Sequence, residues 1–149
     1  MEQMRSKVKI LYIIDTYINP FAGTEGQLFK LISNLDRTKF EPHLLVFNHS
    51  DYIEANGFPC NVTILGHSSI TSPHTWLCLL REVRAKWANG FKVAHIFFND
   101  PSIICPPILK LVGFKVIISR RDMGYWYTPI YLAALRFNSM FLNLAIVNS

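Results

Sequence analysis

The residues of this chain with the means to do chemistry fall in short polar groups, each directly after an apolar run. They are the loop Asn19–Gly26, Asn48-His49-Ser50, Gly66-His67-Ser68, Asn99-Asp100, Arg120-Arg121-Asp122 and Asn148-Ser149. The first loop is the most informative. Val8 to Asp15 (VKILYIID) is a near-continuous apolar run with β-branched residues, the pattern of a strand buried on both faces. Pro20 and Gly23 interrupt it. Thr24 then opens a helix, with Gln27 completing a Thr-x-x-Gln capping box and Leu28, Leu31, Ile32 and Leu35 marking one buried face. A strand, a small-residue turn and a helix N-terminus together offer free backbone N–H groups and a favourable dipole, which suit an anion such as a phosphate. A plain βα turn, whose glycine only relieves backbone strain, is the alternative reading of the same residues.

Other chemistries find less support. His95 lies inside an apolar strand and is expected to be a hydrogen-bonded core histidine; His43 reads as an ordinary sheet residue. His49, His67 and His74 lack helical metal spacing, and Cys60, Cys78 and Cys105 form neither a CxxC pair nor a Cys/His ligand set, so no metal is expected. Three widely spaced cysteines in apolar surroundings read as buried free thiols in a reducing cytoplasm. No nucleophile elbow is present. The first turn lacks GxGxxG, and Asp15 stands at the strand tip rather than about twenty residues further on, which argues against a dehydrogenase. Tyr125, Trp126 and Tyr127 have faces to stack on a sugar ring, or to form a wall where another domain docks.

The elements that must position these groups follow from periodicity. Further strands are expected at Glu41–Phe47, Asn61–Leu65, Val93–Phe98, Lys115–Ser119 and Leu144–Val147. Between them, Ser72-Pro73 starts a helix that Gly90 stops, with Trp76, Leu80, Val83 and Trp87 on its apolar face. A helix from Pro101 to Gly113 carries Pro106-Pro107, which predicts a kink or restart, and another opens at Pro129. Tyr52–Gly57 is short and ambiguous, with room for one helical turn. Strands alternating with helices argue for an α/β fold with a doubly wound, mostly parallel sheet in three α/β/α layers. In such a sheet ligands bind outside the carboxyl ends of the strands, where every polar group named above is expected. That clustering favours an anionic or sugar-like ligand.

Length and composition set the bounds. The chain has 149 residues, half of them hydrophobic and 17% charged, which suits one globular domain with a substantial core. A net charge of +5 implies a modest attraction to anionic partners. The basic residues are scattered, with concentrations only at Arg120-Arg121 and Arg81–Lys86, so no nucleic-acid partner is expected. Polar residues interrupt the most membrane-like stretch, Pro129–Val147, so no spanning helix is expected there.

Four segments, in order, carry a family resemblance. KILYIIDTYINPFAGTEGQLFKLISNLDRTKFEPHLLVF resembles the opening of GT-B glycosyltransferases of the retaining family 4 type, with their Gly-Gly-(Ala/Thr)-Glu-x-x-Leu turn. VAHIFF is similar to the family's Asp-Val-Val-His strand, VGFKVIISRRDMG to its Gly-x-Pro-Val-Ile-x-Thr-x-His-Asp segment, and LAIVNS to the strand before its linker. Two departures stand out. Ala22 replaces the first glycine of the pair, and Arg120 or Arg121 occupies the position where relatives carry a histidine, so no histidine base carries over.

The resemblance implies a single Rossmann-like N-terminal domain over residues 1–149, with the donor-binding domain outside this chain. It implies transfer of a sugar from a nucleotide-sugar donor to a glycan or lipid-linked acceptor, with no further cofactor and no obligatory metal. The partners implied are a C-terminal domain or partner subunit and the cytoplasmic face of a membrane. Catalytic roles fall to Asp122, orienting an acceptor hydroxyl, and Arg121; Gly23, Thr24, Glu25, Gly26, Asn99, Asp100, Arg120, Tyr125 and Trp126 would bind substrate. A second reading is a non-catalytic binding or scaffold module that recruits a separate donor-binding subunit, and a third is a stand-alone nucleotide-binding protein.

Overall fold

The computed structural model describes residues 6–21, 23–120 and 127–147, with Asn99 through its backbone alone. In chain order the elements are β1 (Val8–Ile14), α1 (Gly23–Ser33), β2 (Phe40–Val46), α2 (Asp51–Asn56), β3 (Asn61–Ile64), α3 (Pro73–Ala88), β4 (Val93–Phe97), α4 (Asn99–Val112), β5 (Lys115–Arg120), α5 (Pro129–Asn138), a 3-10 turn (Ser139–Phe141) and β6 (Leu144–Val147). Among the described residues the strands form one six-stranded sheet in the order β3-β2-β1-β4-β5-β6, and every pairing is parallel. This is a Rossmann-like, doubly wound α/β/α fold, as the alternation of elements predicts.

The sheet divides the core into two layers according to side-chain alternation. Leu11 and Ile13 of β1, with Leu45, Ala94, Ile96, Val116 and Ile118, face Leu79 and Val83 of α3 and Ile104, Cys105 and Leu109 of α4. Tyr12 and Ile14, with Leu44 and Val46, face Leu28 and Ile32 of α1 and Ile53 of α2. Both faces of β1 are thereby covered, which is why its sequence runs apolar without alternating. α5 packs on α4 rather than on the sheet centre, and it leaves Ile130 and Phe137 exposed.

Several local expectations need correction. α1 already begins at Gly23, so Thr24 stands within its first turn and not before it as a cap. Its buried stripe is Glu25, Gly26, Leu28 and Ile32, with Leu31 left 40% exposed. On α3 the buried residues are Thr75, Leu79 and Val83, and Trp76, Leu80 and Trp87 flank that stripe. α4 starts two residues before Pro101 and runs through Pro106-Pro107 without a restart. Tyr52 to Gly57 does hold a helix, α2, capped by the Ser50 hydroxyl accepting the Ile53 N–H. Cys105 is buried as expected, whereas Cys60 and Cys78 are only half-buried; all three are free thiols. His95 is the core residue its setting suggests, 8% exposed with Nε2 2.7 Å from the Ser119 hydroxyl. His43 pairs with the Thr63 hydroxyl at 2.8 Å, and burial holds its pKa down to about 4. No helix among the described residues is long and apolar enough to cross a membrane.

The two glycines of the first helical turn are glycine for different reasons. A Cβ on Gly26 would stand 2.5 Å from the Pro20 carbonyl oxygen, so the backbones of loop and helix touch there. A Cβ on Gly23 would meet nothing within 4 Å, and its φ is not in the left-handed region. Gly26→Ala should therefore destabilise the chain by about 1–3 kcal/mol through overpacking. Gly23→Ala should leave stability unchanged or raise it by up to about 1 kcal/mol. Urea unfolding of both variants checks the contrast, and equal losses would refute it.

Candidate functional site

The strand order reverses between β1 and β4, because the chain leaves β1 toward β2 on one side and returns to β4 on the other. Outside the carboxyl ends of those two strands lies the crevice where open α/β sheets bind ligands. Asp15 follows β1 directly, and Asp100 stands in the first turn of α4, just after β4. Tyr131, near the start of α5, donates its hydroxyl to Asp100 Oδ1 at 2.7 Å. Three elements far apart in sequence thus meet here. The reach of α5 is set by its own start, where Pro129 occupies the first turn and the Thr128 hydroxyl accepts the Tyr131 N–H.

The loop that enters α1 is held firmly. Glu25 is 6% exposed, and its carboxylate accepts the Ile18 N–H at 2.9 Å. The Ser50 hydroxyl, while capping α2, donates to the Tyr17 carbonyl at 2.6 Å. Asn48, at the end of β2, donates its side-chain amide to the Thr16 hydroxyl at 2.9 Å and its backbone N–H to the Asp15 carbonyl at 2.9 Å. Phe21 stands at the tip of the loop, 91% exposed. Tyr17 is buried beneath it among Tyr52 and Phe58, and its hydroxyl has no hydrogen-bond partner among the described residues.

Among the described residues, the charged side chains around Asp15 are acidic. Burial pushes the Asp15 carboxyl up to about 6, and the negative charges of Asp100 and Glu25 add to the effect, against the Thr16 N–H that favours its ionised form. The hydrogen bond to Asp100 is the main cause that holds the Tyr131 hydroxyl up at about 12. Just after β4, Phe98 has φ 68° and ψ 173°, a region that non-glycine residues enter only at a cost of about 1–3 kcal/mol. Its carbonyl accepts from the Ser102 hydroxyl. Backbone strain of this kind gathers at ligand-binding turns.

The residues expected at a site fall into three groups. Gly23, Thr24, Glu25 and Gly26 come together in the first turn of α1; Gly23 is exposed, Thr24 half-buried, and Glu25 and Gly26 buried. Glu25 and Gly26 both have structural partners, Ile18 and Pro20, so the fold itself accounts for these residue types. Asn99 and Asp100 begin α4, and Arg120 ends β5 with a buried Nε that has no hydrogen-bond partner among the described residues. Arg121, Asp122, Tyr125 and Trp126 lie outside the described residues.

Sequence reasoning missed Asp15 and Tyr131 as members of the site. A carboxylate closing an apolar strand was the available signal for Asp15, while nothing local distinguishes Tyr131. It also missed a grouping at the outer edge of the sheet: against the expectation of no ligand set, His67, His74 and Cys78 bring their ligating atoms within 4.8 Å of one another.

The raised pKa of Asp15 carries a stability signature. Between about pH 4 and pH 6 the native state retains a proton that the unfolded chain, with a carboxyl near 3.8, has released. Stability contributed by this group is therefore present at low pH and is lost as pH rises toward 6. Asp15→Asn should flatten that part of the profile and raise stability at pH 7 by roughly 1 kcal/mol, allowing for partial solvent screening. Thermal unfolding of both proteins from pH 4 to 8 checks it, and parallel profiles would refute the assignment.

No protein-family model matches the chain, and none of the curated proteins shows significant similarity to it.

Proposed function

We propose that the chain is the acceptor-side half of a glycosyltransferase that moves a sugar from a nucleotide-sugar donor to a glycan or lipid-linked acceptor. The reading rests on the four ordered segments resembling retaining GT-B enzymes of the family 4 type. The observation that carries it furthest is the acidic crevice of Asp15, Asp100 and Tyr131 at the point where the strand order reverses. Carboxylates accept hydrogen bonds from sugar hydroxyls and repel phosphates, so this crevice suits a neutral polyhydroxylated acceptor better than a nucleotide. Asp15, with a pKa of about 6, is mostly ionised at pH 7 and sits in the range useful for taking a proton from an acceptor hydroxyl.

The remaining roles follow from that division. The open space at Gly23 lets a donor group approach the N-terminal turn of α1, whose backbone N–H groups favour negative charge. Arg120 and Arg121 would balance phosphate charge, and Asp122 would orient the acceptor hydroxyl. The donor's nucleotide would be held by a second domain or a partner subunit. The runner-up, a non-catalytic module that pairs with a separate donor-binding subunit, draws on one feature. The exposed apolar side chains of α5 and β6, among them Ile130, Phe137, Leu144 and Val147, would suit a docked neighbour.

Both readings meet the same experiment. The purified chain is screened on a glycan array, then titrated with the glycan bound best and with UDP- and GDP-sugars. An acceptor-side domain should bind a glycan in preference to nucleotide, and Asp15→Asn and Asp100→Asn should each weaken that binding by about tenfold or more. Nucleotide-sugar binding without glycan binding would overturn the assignment. Glycan binding that both variants retain at full strength would remove the crevice from it.

A further inference from the structure

The loop after β3 and the first turns of α3 bring three metal-ligating side chains to one place. His74 and Cys78 are one helical turn apart on α3 and share a face. His67 reaches them from the loop. Gly66, at φ +74°, turns the chain just before it. The loop is then fixed to the helix, where the Trp76 indole N–H donates to the Ile70 carbonyl at 2.7 Å and the Ser72 N–H to the Ser69 carbonyl at 3.2 Å. As a result His67 Nε2 lies 3.2 Å from His74 Nε2, and Cys78 Sγ lies 3.6 Å from that same His74 nitrogen.

Two of the three edges have the lengths of a zinc tetrahedron, and the third, between His67 and Cys78, is under 4.8 Å. With Zn–N of roughly 2.0–2.1 Å and Zn–S of roughly 2.3 Å, a tetrahedral angle separates two nitrogens by about 3.3 Å and nitrogen from sulfur by about 3.6 Å. The two histidine rings meet edge-on at 89° with centroids 4.3 Å apart, so binding one ion through both Nε2 atoms requires them to swing apart to roughly 5 Å. A hydrogen bond between the histidines leaves the Cys78 thiol, a weak donor, sharing the same His74 nitrogen, whereas a metal ion uses all three ligand atoms at once.

We propose that His67, His74 and Cys78 form a three-ligand site for a borderline transition-metal cation, zinc above all, with water in the fourth position. Imidazole and thiolate select such an ion over magnesium or calcium, which require oxygen ligands. His74 is exposed and the other two are half-buried, so the ion enters from solvent and its open position stays exchangeable. The site lies beyond the end of the edge strand β3, with β2 between it and the β1–β4 crevice. It is therefore independent of the acceptor reading. Bound there, the ion would tie the β3–α3 loop to the helix through coordinate bonds, where the loop now relies on hydrogen bonds.

The test uses the metal-free, fully reduced chain, titrated with Zn2+ by calorimetry and with Co2+ by absorption. Saturable one-to-one Zn2+ binding with a micromolar or lower Kd is expected, together with a thiolate-to-cobalt charge-transfer band and the visible bands of tetrahedral Co2+. Cys78→Ser should abolish the charge-transfer band. His67→Ala and His74→Ala should each weaken Zn2+ binding by more than the roughly 10–100-fold that loss of an outer-shell partner costs. Cys60→Ser should change neither readout, and circular dichroism confirms that every variant is folded. Absence of saturable Zn2+ binding up to millimolar concentration would overturn the proposal. So would binding that survives Cys78→Ser undiminished but is lost on His49→Ala, because that would assign the ion to the exposed His49, Asp51 and Glu54 group.

Discussion

Everything in this fold depends on β1 being buried on both faces and paired in parallel on both edges. A strand in that position has no access to water, so its backbone polar groups must be satisfied by β2 and β4. Parallel neighbours cannot be joined by tight hairpins. Each return must cross over a face of the sheet, which accounts for the helices on both sides. The same constraint directs every strand's carboxyl end to one edge of the domain, and there the order reverses between β1 and β4. The crevice is a consequence of the pairing.

The tip of β1 shows how that constraint shapes chemistry. Asp15 is the first residue beyond the buried end of β1, yet it emerges into a space already enclosed by Asn48, Glu25 and Asp100. Burial and two neighbouring carboxylates then disfavour its charge. Retaining three acidic groups so close together works against stability, and the strained backbone of Phe98 does the same just after β4. Glu25 uses its carboxylate to hold the loop through the Ile18 N–H. Asp100 has a partner in the Tyr131 hydroxyl and Asp15 one in the Thr16 N–H, so all three carboxylates are hydrogen-bonded, and Asp15 is the one whose charge its surroundings disfavour most.

The acidic crevice also alters the emphasis of the sequence reading. A strand, glycine turn and helix N-terminus suggest phosphate, and the N–H groups of α1 retain that character. The carboxylates beside it do not. Under the proposed function the two are reconciled, because an anionic donor group would approach along α1 while a hydroxylated acceptor would occupy the β1–β4 crevice.

Periodicity determined the fold class, all six strands and the longer helices between them, because apolar runs and breakers such as Gly90 and Gly113 act locally. It also placed His95 correctly, since an apolar strand leaves a histidine few options but a hydrogen bond such as the one to Ser119. Helix faces were less legible. Trp76 and Trp87 are apolar enough to claim the buried stripe of α3, but packing against the sheet and α4 gave that position to Thr75, Leu79 and Val83. The two candidate sites were decided by tertiary structure alone. Tyr131 reaches Asp100 across 31 positions, and His67 reaches the His74–Cys78 turn only because Gly66 and the Trp76–Ile70 bond fold the loop back on α3. Sequence specifies which segments are strands or helices through near-neighbour preferences. Which side chains converge depends on strand order and loop path, which no local pattern encodes.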